Sequence, residues 1–208
     1  MVAAGHGARF GGPKQLLLLG DRRIVDHAVD AARVACDTVV LVVPADADWS
    51  VAGVRAVTGG ATRSESVRAG IAALPADADI VVVHDAARPL ADVAMFERVI
   101  EAVRAGADGA VPGVPIADTV KRIDPDGTVV ATVPREELAA VQTPQAFRAD
   151  RLRAAHAGAP EGTDDAAVVE RAGGRVVVVA GSPDNFKITE PDDLERAAAV
   201  LARRAGVR

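Results

Sequence analysis

The sequence predicts an open α/β sheet, mostly parallel, with helices on both faces and a β-rich arm projecting from about residue 112 to about 147. Three observations carry this expectation. Short β-branched runs recur along the chain, at Thr38 to Val43, Ile80 to His84 and Arg175 to Ala180. Such runs suit strands buried on both faces, as in a parallel sheet. Helical periods separate them, and strands alternating with helices imply a layered α/β domain. The stretch from Pro112 to Phe147 breaks the alternation with five prolines, too many for a regular helix.

Each element has its own local reason. Ile24, Val25, Ala28, Val29 and Ala32 form one helical stripe. Val93, Phe96, Val99, Ile100 and Val103 form a second, after Asp92 as its N-cap. Within the arm, Asp124-Pro-Asp-Gly127 reads as a turn leading into a strand from Val129 to Val133. Thr163-Asp-Asp165 reads as a capped helix start with acids where the helix dipole favours them, and Gly173 closes that helix. Pro191 suits the first turn of the last helix, and Arg203 and Arg204 suit its last turn.

The bulk properties bound the function. With 208 residues the chain is expected to form one domain, residues 1–208, from which the arm departs. Half the residues are apolar but only 2% are aromatic, so Val, Ala, Leu and Ile must build the core. A net charge of -5 carries no nucleic-acid footprint. The single cysteine, Cys36, excludes an intramolecular disulfide and a cysteine-rich zinc site, and its place at the end of an apolar helix suggests a structural thiol. No apolar run is long enough to span a membrane and no signal segment is visible, so a cytoplasmic protein without nucleic-acid or membrane partners is expected.

The chemistry-bearing motifs lie at the expected strand ends, where ligands bind in open α/β sheets. The first is Ala3-Ala-Gly-His-Gly-Ala-Arg-Phe-Gly-Gly-Pro-Lys-Gln15. Its glycines let backbone N–H groups approach an anion, while Arg9 and Lys14 add full charges. It is no dinucleotide fingerprint, because Phe10 stands where a third Gly is required. Nor is it a Walker A loop, because Gly12 is followed by Pro13 before Lys14 and Gln15 replaces Ser/Thr. His84-Asp-Ala-Ala-Arg-Pro89 follows directly from a strand and delivers Asp85, whose carboxylate can hold Mg²⁺ against triphosphate oxygens. Lys187, in Gly181-Ser-Pro-Asp-Asn-Phe-Lys187, follows the last strand.

Taken singly, each motif also has a plain structural reading: a flexible loop, a helix cap, a strand-end ion pair or a solvated charge. Taken in order, they resemble one family. Ala-Ala-Gly-x-Gly-x-Arg followed by Pro-Lys-Gln is similar to the nucleotide-binding loop of small nucleotidyltransferases. Gly59-Gly-Ala-Thr-Arg-Ser-Glu-Ser-Val67, the His84 to Pro89 motif, Asp118-Thr-Val-Lys-Arg122, and Gln142-Thr-Pro-Gln-Ala-Phe147 together resemble the 2-C-methyl-D-erythritol 4-phosphate cytidylyltransferases of the non-mevalonate isoprenoid pathway. The resemblance runs from Ala3 to about Leu201.

The resemblance implies a Rossmann-like nucleotide-diphospho-sugar-transferase fold and transfer of CMP from CTP to methylerythritol phosphate, with release of pyrophosphate and a divalent metal such as Mg²⁺. It implies catalytic roles for Arg9, Lys14 and Lys187, and a metal position at Asp85. It assigns CTP contacts to Ala3, Ala4, Gly5, Gly7, Gly59, Gly60, Arg63, Ser66 and Ala86. It assigns methylerythritol phosphate contacts to Arg88, Thr119, Lys121, Arg135, Thr143 and Thr163, with Arg135 reaching across a homodimer interface made by the arm. Two departures stand out. Met1-Val2 leaves almost no chain before the Ala3-Ala4-Gly5 loop, so either the start lies further upstream or the first strand is shortened, and the stretch from Arg9 to Lys14 is shorter by about two residues than the family spacing. A cytidylyltransferase of ribitol 5-phosphate or another polyol phosphate, and a non-catalytic CTP-binding homologue, are the competing readings.

Overall fold

The computed structural model describes residues 1–5, 10 and 12–206. In chain order the elements are β1 (Leu18–Leu19), β2 (Arg22–Arg23), α1 (Ile24–Ala35), β3 (Val40–Val43), β4 (Arg55–Thr58), α2 (Arg63–Ala73), β5 (Ile80–Val83), α3 (Val93–Arg104) and β6 (Gly109–Pro115). They continue as β7 (Val120–Ile123), β8 (Val129–Val133), β9 (Ala139–Val141), β10 (Gln145–Arg148), α4 (Ala149–His156), α5 (Asp165–Arg171), β11 (Val176–Ala180) and α6 (Pro191–Ala205).

The main sheet forms in two pieces. β3 and β4 pair in parallel. β5, β10, β6 and β11 form the other piece, in which β10 runs antiparallel to both neighbours and β11 runs parallel to β6. Val2 joins the pieces by forming parallel bridges to Val42 on one side and Asp85 on the other. Val2 N–H donates to the His84 carbonyl at 2.8 Å, and Ala3 N–H donates to the Val42 carbonyl at 2.8 Å. Val2 thus sits between the two pieces and leads into the Ala3–Gly5 loop.

Beneath Val2 the sheet is open. A cavity of about 570 Å³ extends from Val2 away from the Ala3–Gly5 loop, between Thr38, Val39 and Val40 on one side and Ile80 and Val82 on the other. Its walls reach Val67 and Ile71 of α2 on one face and Phe96 and Ile100 of α3 on the other. The gap therefore spans the full sheet thickness. Cys36 also lines it; that residue is half-buried, and burial pushes its thiol upward.

Helices cover both faces because the strands alternate. Val81 and Val83 of β5 pack with Val67, Leu152 and Val169 from α2, α4 and α5. Ile80 and Val82 face the other way, toward Val99 and Ile100 of α3. Both helical stripes read from the sequence point inward: Ile24, Val25, Ala28 and Val29 are wholly buried, as is Val99. Asp92 accepts from the Met95 N–H at 2.8 Å as the N-cap of α3, and Gly173 adopts a positive φ of 83° just after α5. Phe147 is fully buried, and its ring fills the space a side chain at position 109 would need.

Two expectations need correction. β11 is an edge strand, with Val178 57% exposed, so its β-branched run is not buried on both faces. The arm is shorter than 112–147. Residues 112–115 still belong to β6, with Pro112 and Gly113 beside β11, and 145–147 lie in β10 between β6 and β5. Only the excursion between Pro115 and Ala139 leaves the body, as the β7–β8 hairpin. Pro112 does not mark the departure: its carbonyl accepts from Gln142 N–H at 2.7 Å.

Candidate functional site

Four segments converge beyond the carboxyl ends of the parallel strands. The loop Ala3–Gly5 follows the Val2 bridge, Gly59-Gly60 follows β4, His84-Asp85 follows β5, and Lys187 lies on the connection after β11. They line one cavity of about 500 Å³, together with Lys14, Arg63, Ser66 and Ala86.

The two glycine loops are drawn together. A side chain at Gly59 would come within 2.7 Å of both Ala4 Cβ and Ser66 Oγ, so this approach requires glycine. Ser66 Oγ donates to the Thr62 carbonyl at 3.0 Å and accepts from Gly60 N–H at 3.2 Å, which holds the second loop. Thr62 and Glu65 form a capping box at the start of α2 and so aim Arg63 into the site. Gln15, the last residue of the Pro-Lys-Gln segment, is buried. Its amide donates to the Ala3 carbonyl at 2.9 Å and the Gly5 carbonyl at 3.3 Å. This clamp ties Gln15 to Ala3 and Gly5, and the neighbouring Lys14 lies at the cavity wall.

Asp85 is the electrostatic centre. Lys187 Nζ donates to its Oδ2 at 2.8 Å, and Arg63 Nε donates to its Oδ1 at 3.3 Å. Burial alone would raise the Asp85 carboxyl, but Lys187 and Arg63 outweigh it and hold the group well below the usual carboxylate range. Arg63 also donates through Nη1 to Asp165 Oδ2 at 2.8 Å. Burial lowers the Arg63 guanidinium, yet Asp165 and Asp85 together raise it above its ordinary value.

The backbone at Asp85 is fixed from behind. His84 Nε2 meets the Arg88 carbonyl at 3.1 Å and can only donate to it, which makes Nδ1 an acceptor. Thr143 Oγ1 then donates to His84 Nδ1 at 2.9 Å and accepts from Asp85 N–H at 3.0 Å. Burial pushes His84 down to about 3, so it stays neutral and serves as a strut. Arg88 donates to the Asn185 carbonyl at 2.8 Å, and burial lowers its guanidinium. Asn185 is itself buried and donates to the Thr143 carbonyl at 2.9 Å and to Gln142 Oε1 at 3.2 Å. The segment returning from the arm thus locks the connection that carries Lys187.

The structure brings Ala3, Ala4, Gly5, Lys14, Gly60, Arg63, Ser66, Asp85, Ala86 and Lys187 to one cavity, with Gly59 packed behind it. Gly7 and Arg9 lie outside the described residues. The remaining expected contacts are not gathered there. Thr143 is buried and spends its hydroxyl on His84 and Asp85, so within this chain it shapes the backbone of the site. Thr163 is exposed just before α5, whose N-cap is Asp164, accepting from Ala167 N–H at 2.9 Å. Thr119, Lys121 and Arg135 are exposed on the arm. Lys121 donates to Thr132 Oγ1 at 2.7 Å, and Arg135 donates to the Ala117 carbonyl. Sequence reasoning missed Gln15, Asn185 and Asp165. Gln15 and Asn185 stand inside quoted motifs, but nothing local marks their side chains as buried.

Asp85 suits a hard divalent cation. It is a carboxylate at the cavity wall with both oxygens already facing positive charge. No cluster of three or more His, Cys, Asp or Glu able to hold a metal occurs among the described residues. A single carboxylate combined with substrate phosphates is the donor set Mg²⁺ commonly takes. No helix among the described residues is long and apolar enough to cross a membrane.

Comparison with known proteins adds an independent line. The family model for 2-C-methyl-D-erythritol 4-phosphate cytidylyltransferase matches residues 1–203. The chain is 46% identical over 216 residues to the enzyme of that name from Nocardia farcinica, covering 99% of this chain and 94% of that one. It is 47% identical over 225 residues to the one from Streptomyces avermitilis, covering 97% and 90%. Among solved structures, the enzyme of that name from Thermus thermophilus aligns with a TM-score of 0.83 at 36% identity, covering 97% of both chains. The 4-diphosphocytidyl-2C-methyl-D-erythritol synthase from Anaerococcus prevotii aligns with a TM-score of 0.84 at 29% identity, covering 97% of this chain and 95% of that one.

Proposed function

The chain belongs to the 2-C-methyl-D-erythritol 4-phosphate cytidylyltransferase family, and on that premise we propose how its own residues perform the transfer of CMP from CTP to methylerythritol phosphate. The reaction is a step of isoprenoid precursor synthesis. The observation that carries the residue assignment is the convergence of Lys187 and Arg63 on Asp85, at the wall of the cavity that both glycine loops and Lys14 also line.

A phosphate oxygen of methylerythritol phosphate attacks the α-phosphorus of CTP, and the bond to the bridging oxygen of pyrophosphate breaks. The nucleophile is already anionic near neutral pH, so no residue need remove a proton. The barrier is the meeting of two anions and the growth of charge on the leaving group, which positioning and fixed positive charge relieve. The backbone of Ala3, Ala4, Gly5 and Gly7 cradles the triphosphate. Gly59, Gly60, Arg63, Ser66 and Ala86 receive the rest of the nucleotide. Lys14 and Arg9 neutralise the α-phosphate, and Lys187 supports the phosphates beside Asp85.

Asp85 holds the divalent cation, Mg²⁺ being the first choice. When bound, the cation neutralises triphosphate charge and favours departure of pyrophosphate. Arg88, Thr119, Lys121, Arg135, Thr143 and Thr163 are assigned to methylerythritol phosphate. Since Lys121 and Arg135 are exposed on the arm, a homodimer that brings the arm of one protomer to the site of the other fits this assignment. The apolar side chains of Ile123, Val129 and Val130 are more than half exposed on the same hairpin and give such an interface its apolar part. We place the enzyme in the cytoplasm with its nucleotide substrate.

The test is pyrophosphate release from CTP and Mg²⁺, with methylerythritol phosphate and ribitol 5-phosphate side by side. Turnover with the first alone is expected. Equal turnover with both overturns the substrate choice, and CTP binding without turnover overturns catalysis.

A further inference from the structure

Asp165 is a charged side chain that the proposed chemistry does not use. It sits at the start of α5, next to the N-cap Asp164, and only 1% of its side chain is exposed. A carboxylate this deep persists only when both oxygens are partnered. Oδ2 accepts from Arg63 Nη1 at 2.8 Å, and Oδ1 accepts from His156 Nε2 at 3.1 Å. His156 closes α4 and is buried. Because its Nε2 donates, its proton is fixed on the side facing Asp165, while the buried Nδ1 has no partner. Nothing but Asp165 among the described residues orients that ring through a hydrogen bond.

The two bonds of Arg63 are unequal. The contact with Asp165, at 2.8 Å, has the length of a charge-assisted hydrogen bond; that with Asp85, at 3.3 Å, is loose. Arg63 is therefore anchored on the buried carboxylate and leans on the one at the cavity wall. This asymmetry matters when a cation arrives. A metal taken up at Asp85 would compete with Arg63 for the carboxylate, and the 3.3 Å contact is the weaker of the two that hold the guanidinium.

We propose that Asp165, oriented by His156, is a positioning residue that holds Arg63 so that Asp85 can exchange it for the divalent cation while the guanidinium stays aimed at the nucleotide. This rests on the reading of Asp85 as the cation-holding carboxylate. Without the anchor, Arg63 settles on Asp85 and more Mg²⁺ is needed to bind CTP.

The experiment is calorimetric titration of CTP, with no second substrate present, across a Mg²⁺ series. In Asp165→Asn, the Mg²⁺ concentration for half-maximal CTP binding rises about tenfold, the size of one lost charge-assisted bond. His156→Phe keeps the bulk, removes the donor and moves the same midpoint in the same direction by a smaller factor; it also serves if Asp165→Asn does not fold. In an Arg63→Ala background, Asp165→Asn no longer moves the midpoint. A lowered Tm with an unmoved Mg²⁺ midpoint in both variants overturns the proposal and leaves Asp165 as a tie between helices. An equal shift in the Arg63→Ala background also overturns it. Wild-type CTP binding that ignores Mg²⁺ overturns instead the reading of Asp85 on which the proposal rests.

Discussion

Charged side chains of the candidate site meet one another across separate segments of the body; those of the arm are exposed on its hairpin. Asp85, Arg63, Asp165 and Lys187 come from four separate segments and form one bonded set. Burial and neighbouring charge shift both Asp85 and Arg63 from their ordinary titration ranges. Lys121 and Arg135 bond only within the arm, to Thr132, the Ala117 carbonyl and Glu136, and both are exposed. Most of the expected nucleotide contacts thus gather at one cavity, whereas the cations of the arm lie apart from it on an exposed hairpin.

The sharpest way to break this comparison is at Lys187. Lys187→Ala removes one of two cations on Asp85, and kcat/KM is expected to fall by a factor on the order of 10²–10³ while the circular dichroism spectrum is retained. Near-normal turnover with an intact fold would remove Lys187 from the chemistry.

Arg135→Ala sharpens the other side. KM for methylerythritol phosphate should rise by about tenfold with CTP binding unchanged, in keeping with one lost charged contact. Refolding Lys187→Ala and Arg135→Ala chains together should restore activity, because one mixed site then has an intact body and an intact arm. Failure to complement, with dimers present, means that the arm serves its own chain.

Much of the architecture could be read from the chain. The stripes of α1 and α3, the cap at Asp92, Pro191 in the first turn of α6, and the strand preceding Asp85 are local patterns set by side-chain spacing and backbone preference. The edge position of β11 could not be read, because a β-branched run looks the same in a sheet's centre and at its margin. The true extent of the arm is not legible, because a proline does not show whether its strand continues, and the strands on either side of the hairpin pair with the body.

By itself the sequence determined the α/β alternation, the glycine loops, and the strand-end placement of Asp85 and Lys187. These depend on residue type and short spacing. Only the tertiary structure decided that Val2 lies between the two pieces of the sheet, bridging Val42 and Asp85. It also decided that Gln15 clamps the first loop, that Thr143 braces Asp85, and that Arg63 is anchored on Asp165. Those pairings join groups as far as 102 residues apart. What selects them is burial, which makes an unpartnered polar group costly and so dictates its partner only once the chain has folded around it.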